Sequence, residues 1–89
     1  MKRVETPEGV LIRELQGESV LLNLDSETYF GLDDVGTRMW AALHATESVD
    51  AAHAALLAEF EVEPERLRAD LAAFVETLAG AGLLRVVAD

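Results

Sequence analysis

Only a few side chains in this 89-residue chain have the chemistry of acid–base catalysis or metal binding. The two histidines, His44 and His53, lack the Glu-x-x-His and His-x-x-x-His spacings that set metal ligands on one helix face. His53 shares a helical stripe with Val49 and Leu56, which indicates a packed histidine with a hydrogen-bonded ring nitrogen. His44 lies at the end of a predicted helix, where a cation complements the helix dipole. We therefore predict structural roles for both histidines and no metal site.

The sequence also lacks the residue arrangements that activate a serine or cysteine nucleophile. Ser19, Ser26 and Ser48 have neither a nearby histidine nor a Gly-x-Ser-x-Gly setting, and they suit turns and helix caps. The absence of cysteine excludes disulfides, thiolate metal sites and a cysteine nucleophile. The glycines form no phosphate-cradling loop after a strand. We expect a binding module with no catalytic residues and no cofactor, rather than an enzyme.

Composition and charge narrow the class of partner. Seventeen Asp+Glu outnumber seven Lys+Arg, giving a net charge of −10, and 51% hydrophobic residues indicate a globular rather than a disordered chain. The length fits one domain over residues 1–89, with its core at about residues 10–87. An acidic surface repels phosphate groups, which argues against nucleic acid. Because no signal peptide or membrane-span pattern is present, we expect a cytoplasmic protein that binds no membrane.

The first third of the chain has the pattern of a three-stranded antiparallel meander. Apolar and β-branched runs separated by polar turns predict strands over residues 10–15, 18–25 and 28–32. In the second of these, Val20, Leu22 and Leu24 recur at period two, which predicts that they form its inward face. The third strand is short and rich in aromatic residues.

The turn before the third predicted strand decides which aromatic side chain faces the core. A two-residue loop would place Leu24 opposite Tyr29, whereas a one-residue bulge would place Leu22 opposite Phe30. We favour the bulged register, because it sends Phe30 and Leu32 into the core and leaves Tyr29 outside.

From residue 33 onward the apolar period becomes helical, and three helices are predicted. Asp33 and Ser48 suit the N-cap positions of the first two, and Pro64 suits the first turn of the third. The third helix has an apolar stripe made of Leu67, Leu71, Phe74, Val75 and Leu78. Residues 83–87 return as a short extended segment. The predicted fold is α+β and winged helix-turn-helix-like, a three-stranded antiparallel sheet followed by three helices.

The third predicted strand is a candidate docking edge. Exposed strand edges are usually blunted by Lys, Pro or inward-pointing charges, and residues 28–32 have none of these. Gly31 also allows another backbone to approach closely. Such an edge can accept an added strand from an extended peptide. Two alternatives stay open at this point: a helix or the C-terminal segment covers the edge, or the edge mediates dimerisation.

The run over residues 21–40 resembles the signature of the PqqD-like proteins, the leader-peptide recognition elements of ribosomal peptide modification pathways. That signature is an apolar strand and acidic turn, then Tyr-aromatic-Gly/Ser-Leu, Asn/Asp-Glu/Asp-Val-Gly, and Trp four residues after the last Gly. The matching positions are Tyr29, Phe30, Gly31, Leu32, Asp33, Asp34, Val35, Gly36 and Trp40. Two minor departures are Glu27, where a turn Gly is common, and Asp33, where Asn is commoner.

The resemblance implies a fold and a binding mode. In the family, the leader of a precursor peptide adds as a strand to the third strand and lies in a groove closed by the third helix. The docking edge carried over to this chain consists of Thr28, Tyr29, Phe30, Gly31 and Leu32. The groove wall carried over consists of Leu67, Asp70, Leu71 and Phe74. Arg66 and Arg68 are candidates for binding acidic leader side chains. Alternatively, Leu71, Phe74 and Leu78 belong purely to the core, and only residues at the margin of the stripe meet the peptide.

Within the family, the chain looks most like the stand-alone leader-binding subunit of lasso peptide biosynthesis. The resemblance implies a precursor peptide and a separate cysteine-protease-like leader peptidase, or another modifying enzyme, as partners of a monomer or weak dimer. One alternative is the peptide chaperone of pyrroloquinoline quinone synthesis. A different class, the winged-helix DNA-binding regulator, is supported by topology alone.

Overall fold

Two small antiparallel sheets and three helices make up the chain, in a computed structural model that describes residues 2–88. The elements, in chain order, are β1 (Lys2–Glu5), β2 (Val10–Leu15), β3 (Glu18–Asn23), β4 (Thr28–Leu32), α1 (Asp34–Ala45), α2 (Val49–Glu59), α3 (Pro64–Gly80) and β5 (Arg85–Ala88). Strands β2, β3 and β4 form one sheet in that order, and β1 pairs with β5 in the other. The predicted α+β fold with a three-stranded meander and three helices is confirmed, and the third predicted strand is β4.

The helix starts follow the local sequence signals. Asp33 caps α1, because its Oδ1 accepts a hydrogen bond from the Gly36 amide at 2.8 Å. Ser48 caps α2 in the same way, with its Oγ accepting from the Ala51 amide at 3.0 Å. Pro64 is the first residue of α3, where its missing amide hydrogen loses no helical bond. These short-range features are confirmed because each depends on residues close together in the sequence.

The core lies between the inner face of the three-stranded sheet and the three helices. Its buried apolar residues are Leu21, Leu32, Met39, Trp40, Leu43, Ala52, Leu56, Leu67, Leu71, Val75, Leu78, Leu83 and Leu84. His53 is also buried, and its Nε2–H donates to the Pro64 carbonyl oxygen at 2.8 Å. The prediction of a packed, hydrogen-bonded His53 is confirmed.

The second sheet joins the two ends of the chain, and local sequence patterns do not predict it. β1 pairs with β5 from Lys2 opposite Ala88 to Glu5 opposite Arg85. The extended segment expected over residues 83–87 is therefore a strand over Arg85–Ala88, preceded by two buried leucines. Its partner lies at the opposite end of the sequence, so no turn signal announces the pairing.

The register between β3 and β4 differs from both alternatives considered from the sequence. Leu22 lies opposite Tyr29 and Leu21 lies opposite Phe30, because the connecting turn comprises residues 24–27 and includes Glu27 at a φ of +56°. Phe30 is nevertheless packed against the core and Tyr29 is 78% exposed, as predicted.

The predicted inward face of β3 is wrong. The inward residues are Ser19 and Leu21, whereas Val20 and Leu24 are about half exposed on the other side. A polar residue tolerates burial here because the hydroxyls of Ser19 and Thr37 share a hydrogen bond of 2.7 Å. This bond links β3 to α1. The burial of Ser19 on the inward face therefore relies on a hydrogen-bond partner in another element.

This hydroxyl pair allows a stability test. Thr37→Val should lower the free energy of unfolding by about 1–3 kcal/mol, since it leaves the Ser19 hydroxyl buried without a partner. The double variant Ser19→Ala/Thr37→Val should be less destabilised than the sum of its single variants, as measured by urea denaturation. The exposed hydroxyl pair of Ser26 and Thr28, also at 2.7 Å, is the matched control. Ser26→Ala should change stability by less than about 0.5 kcal/mol. Strict additivity of the Ser19 and Thr37 substitutions would contradict the assignment.

Candidate functional site

β4 is an edge strand of the three-stranded sheet. β3 pairs with one side of it, and no strand pairs with the other side within residues 2–88. The C-terminal segment, one of the elements that the sequence left as a possible cover, pairs with β1 instead. One side of β4 is therefore open for pairing.

The turn between β2 and β3 determines which backbone groups point to that open side. Gln16 and Gly17 both have positive φ, 54° and 83°, as in a two-residue hairpin turn, which makes the flanking Leu15 and Glu18 a hydrogen-bonded pair. At the other end of the β2–β3 pairing, the Leu24 amide donates to the Gly9 carbonyl oxygen at 2.8 Å. Leu24 is an even number of residues from Glu18, so this bond fits the same alternation of bonded and non-bonded pairs. The even-numbered residues of β3 therefore bond to β2, and the odd-numbered residues bond to β4.

This alternation continues into β4 through the observed register. Thr28, Phe30 and Leu32 lie opposite the odd-numbered residues of β3, so they exchange backbone hydrogen bonds with it. The N–H and C=O groups of Tyr29 and Gly31 consequently point to the open edge. A guest strand would find its main-chain partners at these two residues. The sheet surface at Gly31 is also uncovered, since an added Cβ there would meet no atom within 4 Å.

A groove of about 520 Å³ runs beside this edge, between β4, the start of α1 and α3. Its lining residues are Phe30, Gly31, Leu32, Asp33, Val35, Gly36, Met39, Asp70, Ala73, Phe74, Thr77 and Leu78. The α3 wall presents residues at spacings i, i+3, i+4 and i+7 from Asp70, which all fall on one helix face. Ala73 and Thr77 are small, so the groove stays open between the larger side chains.

The structure brings together half of the site residues predicted from the sequence. Phe30, Gly31 and Leu32 meet Asp70 and Phe74 at the groove. Thr28 and Tyr29 continue the same edge strand without lining the groove. Phe74 is half-buried and packs against the core, so it serves both the core and the groove wall.

The remaining predicted residues lie elsewhere. Leu67 and Leu71 are only 3% and 1% exposed, which places them in the core rather than on the groove wall. Arg66 projects into solvent, with its Nε 4.0 Å from Asp70 Oδ2. Arg68 Nη1 donates to Asp50 Oδ1 at 3.1 Å, and Arg68 borders a hollow beside α2 instead of this groove. The predicted apolar stripe of α3 therefore marks its core side at Leu67, Leu71 and Val75. Two of its other members, Phe74 and Leu78, also line the groove.

Several groove residues were not predicted as site residues. The main ones are Asp33, Val35, Gly36, Met39, Ala73 and Thr77. A sequence signal exists for Ala73 and Thr77, since small residues three and seven positions after Asp70 share its helix face. The lining contains two carboxylates, Asp33 and Asp70, and no lysine or arginine. The groove is therefore apolar with an acidic rim.

A cluster of metal ligands and a helix able to span a membrane are both absent from the described part of the chain. No group of three or more potential acidic, His or Cys ligands clusters there. His44 lies against Thr6 Oγ1, at 2.6 Å from its Nε2, and its Nδ1 is 2.9 Å from the Trp40 carbonyl oxygen. Over residues 2–88, no helix has both the length and the apolar character needed to cross a membrane.

Comparison with known proteins gives a consistent result. The family model described as coenzyme PQQ synthesis protein D (PqqD) matches residues 18–84, which is well over half of the chain. A solved structure described as TbiB1 in complex with the TbiA(beta) leader peptide is 35% identical, with a TM-score of 0.87, covering 96% of this chain and 99% of that chain. A structure described as lasso peptide synthetase B1 complexed with the leader peptide has the same fold at 24% identity, with a TM-score of 0.84, covering 93% of this chain and 98% of that one. No curated protein sequence matches significantly. The open edge, the adjoining groove and these matches identify the chain as a member of the PqqD family.

Proposed function

We propose that this protein binds the leader segment of a ribosomally made precursor peptide as an added β-strand on β4. The observation that carries the proposal is the open edge at Tyr29 and Gly31 beside the groove formed with α3. The likeness at 35% identity to TbiB1, whose structure is a leader-peptide complex, supports it.

In this binding mode the backbone edge would supply affinity, and the groove would supply selectivity. Backbone groups of Tyr29 and Gly31 would exchange hydrogen bonds with the guest strand, each contributing about 0.5–1.5 kcal/mol independently of sequence. Alternate side chains of the guest would face the groove, where Leu32, Phe74 and Met39 offer apolar contacts. Main-chain pairing tolerates a variable peptide, whereas the groove selects for apolar side chains.

Charged contacts follow from the placement of the arginines. Arg66 remains the candidate for an acidic leader side chain, since it lies at the rim beside Asp70. Arg68 is paired with Asp50 on another side of α3, so we no longer propose it for the leader. A winged-helix regulator gains no support, because the two groove carboxylates and the net charge of −10 oppose DNA phosphates.

We propose that the protein is not an enzyme and that it delivers its leader in the cytoplasm, where precursor peptides are made. The partner in this scheme is a cysteine-protease-like leader peptidase of lasso peptide maturation, with peptide presentation in pyrroloquinoline quinone synthesis as the alternative. The sequence resemblance to the stand-alone leader-binding subunit of lasso peptide biosynthesis favours the first. We propose that residues 1–89 act as a single domain, monomeric or weakly dimeric.

Removal of one edge amide tests strand addition. Gly31→Pro deletes an N–H that points to the open side, so leader affinity should fall about tenfold or more, and the fold should persist because that amide makes no ladder bond. Fluorescence anisotropy with a labelled synthetic leader of the precursor peptide measures the affinity. Gly31→Ala is the matched control, since it keeps the amide and has room for its Cβ. Undiminished binding by a folded Gly31→Pro variant would rule out pairing at this residue.

Truncation of the groove wall tests the second part of the site. Phe74→Ala should weaken leader binding at least about threefold and destabilise the fold by less than the ~3–5 kcal/mol typical of a fully buried Phe, since the ring is only half-buried. Val75→Ala is the control, because Val75 is 7% exposed on the core side of the same helix. It should lower stability and leave leader affinity unchanged. The opposite pattern, with Val75 controlling affinity and Phe74 not, would place the peptide elsewhere.

A further inference from the structure

The three-stranded sheet has a second face that none of the helices covers. This outer sheet face consists of Leu11, Leu15, Val20, Leu22 and Tyr29, which alternate with the inward residues of their strands. Leu15 is 74% exposed and Tyr29 is 78% exposed, and Leu11 and Val20 are each about half exposed. Within residues 2–88 the core and the helices lie on the inner side, against Leu21 and Leu32.

The strand registers bring four of these side chains together, and Leu15 lies one row beyond Arg13, opposite Glu18. Leu11, Leu22 and Tyr29 stand side by side across the three strands, and Arg13, Val20 and Gly31 form the next row. Gly31 adds no side chain to that row. Contiguous exposed apolar surface on a small protein marks an interaction site, since scattered single residues would not need a partner.

The charge of the chain bears on whether a second copy or a different protein binds the outer sheet face. A second copy of the chain would bring two molecules of net charge −10 together. Glu18 lies on the face itself beside Leu15, and Asp25 and Glu27 lie in the turn at its other end. Arg13 is the one basic residue in β2, β3 and β4, and its side chain points outward. This acidic border favours a partner whose apolar surface is surrounded by basic residues.

The patch is also continuous with the open edge of β4. Tyr29 belongs to both, because its backbone points to the edge while its side chain stands on the outer sheet face. A strand added to β4 would widen the sheet and place half of its own side chains on the same face. A protein seated there would contact the recognition domain and the bound leader at once.

We propose that the outer sheet face docks the leader-processing enzyme, through an apolar surface of that enzyme bordered by basic residues. This inference rests on the proposed function, because it takes the leader to be the strand added to β4. Leader capture and enzyme docking then use different faces of one sheet, and Tyr29 lies where they join.

The double variant Leu11→Thr/Leu15→Thr tests this assignment. Threonine keeps the β propensity of the strand and removes apolar surface, and neither position contacts the leader edge. Binding to the purified cysteine-protease-like leader peptidase proposed as the partner, measured by isothermal titration calorimetry with leader present, should weaken at least about tenfold. Leader affinity should stay within about twofold of the unaltered protein. The control is Val62→Thr, at an exposed apolar residue between α2 and α3 that lies outside the sheet, and it should alter neither affinity.

The outcomes separate this inference from the proposed function. Full peptidase affinity in the folded double variant would overturn the docking assignment, and so would leader binding by an unaltered protein that shows no affinity for the peptidase. Sedimentation velocity that shows a dimer of the unaltered protein, lost in the double variant, would assign the face to a second copy and also overturn it. Failure of the unaltered protein to bind its leader would instead contradict the proposed function.

Discussion

The alternation of backbone hydrogen bonds across the three-stranded sheet controls where this protein can bind. The left-handed turn at Gln16 and Gly17 fixes which groups of β3 point to β2, and the β3–β4 register passes that alternation to β4. Tyr29 and Gly31 thereby keep unpaired N–H and C=O groups on the open side. A shift of one residue in that register would exchange these for the groups of Thr28, Phe30 and Leu32, and would also turn Phe30 out of the core.

α3 serves two sides of the molecule with two neighbouring stripes. Leu67, Leu71 and Val75 anchor it in the core, while Asp70, Ala73 and Thr77 face the groove. Its rigid attachment matters for recognition, because a groove wall held by a buried stripe loses little conformational freedom when peptide binds. The apolar pattern of α3 therefore combines one stripe that packs in the core with a neighbouring stripe that forms the groove wall.

The pairing of β1 with β5 has a consequence for the site. It occupies the C-terminal segment and keeps it from folding onto the edge of β4. The sheet thus has one face on the core, one edge beside a groove, and one uncovered apolar face. A binding protein without catalytic groups can use this division, since a peptide and a second macromolecule can occupy different surfaces of one small sheet.

The sequence by itself determined the order of the three meander strands and the three helices, the capping residues Asp33 and Ser48, and the absence of edge-blunting residues in 28–32, because these depend on neighbours within one turn or one strand. The sequence did not determine which face of β3 points inward. Alternation permits either face, and the observed one buries Leu21 in the core and pairs Ser19 with Thr37, which are contacts between distant elements. The separation of Leu71 from the groove and the pairing of the chain ends likewise arise from contacts between residues far apart in sequence. Tertiary packing alone decides such contacts, since no local pattern encodes which surfaces will meet.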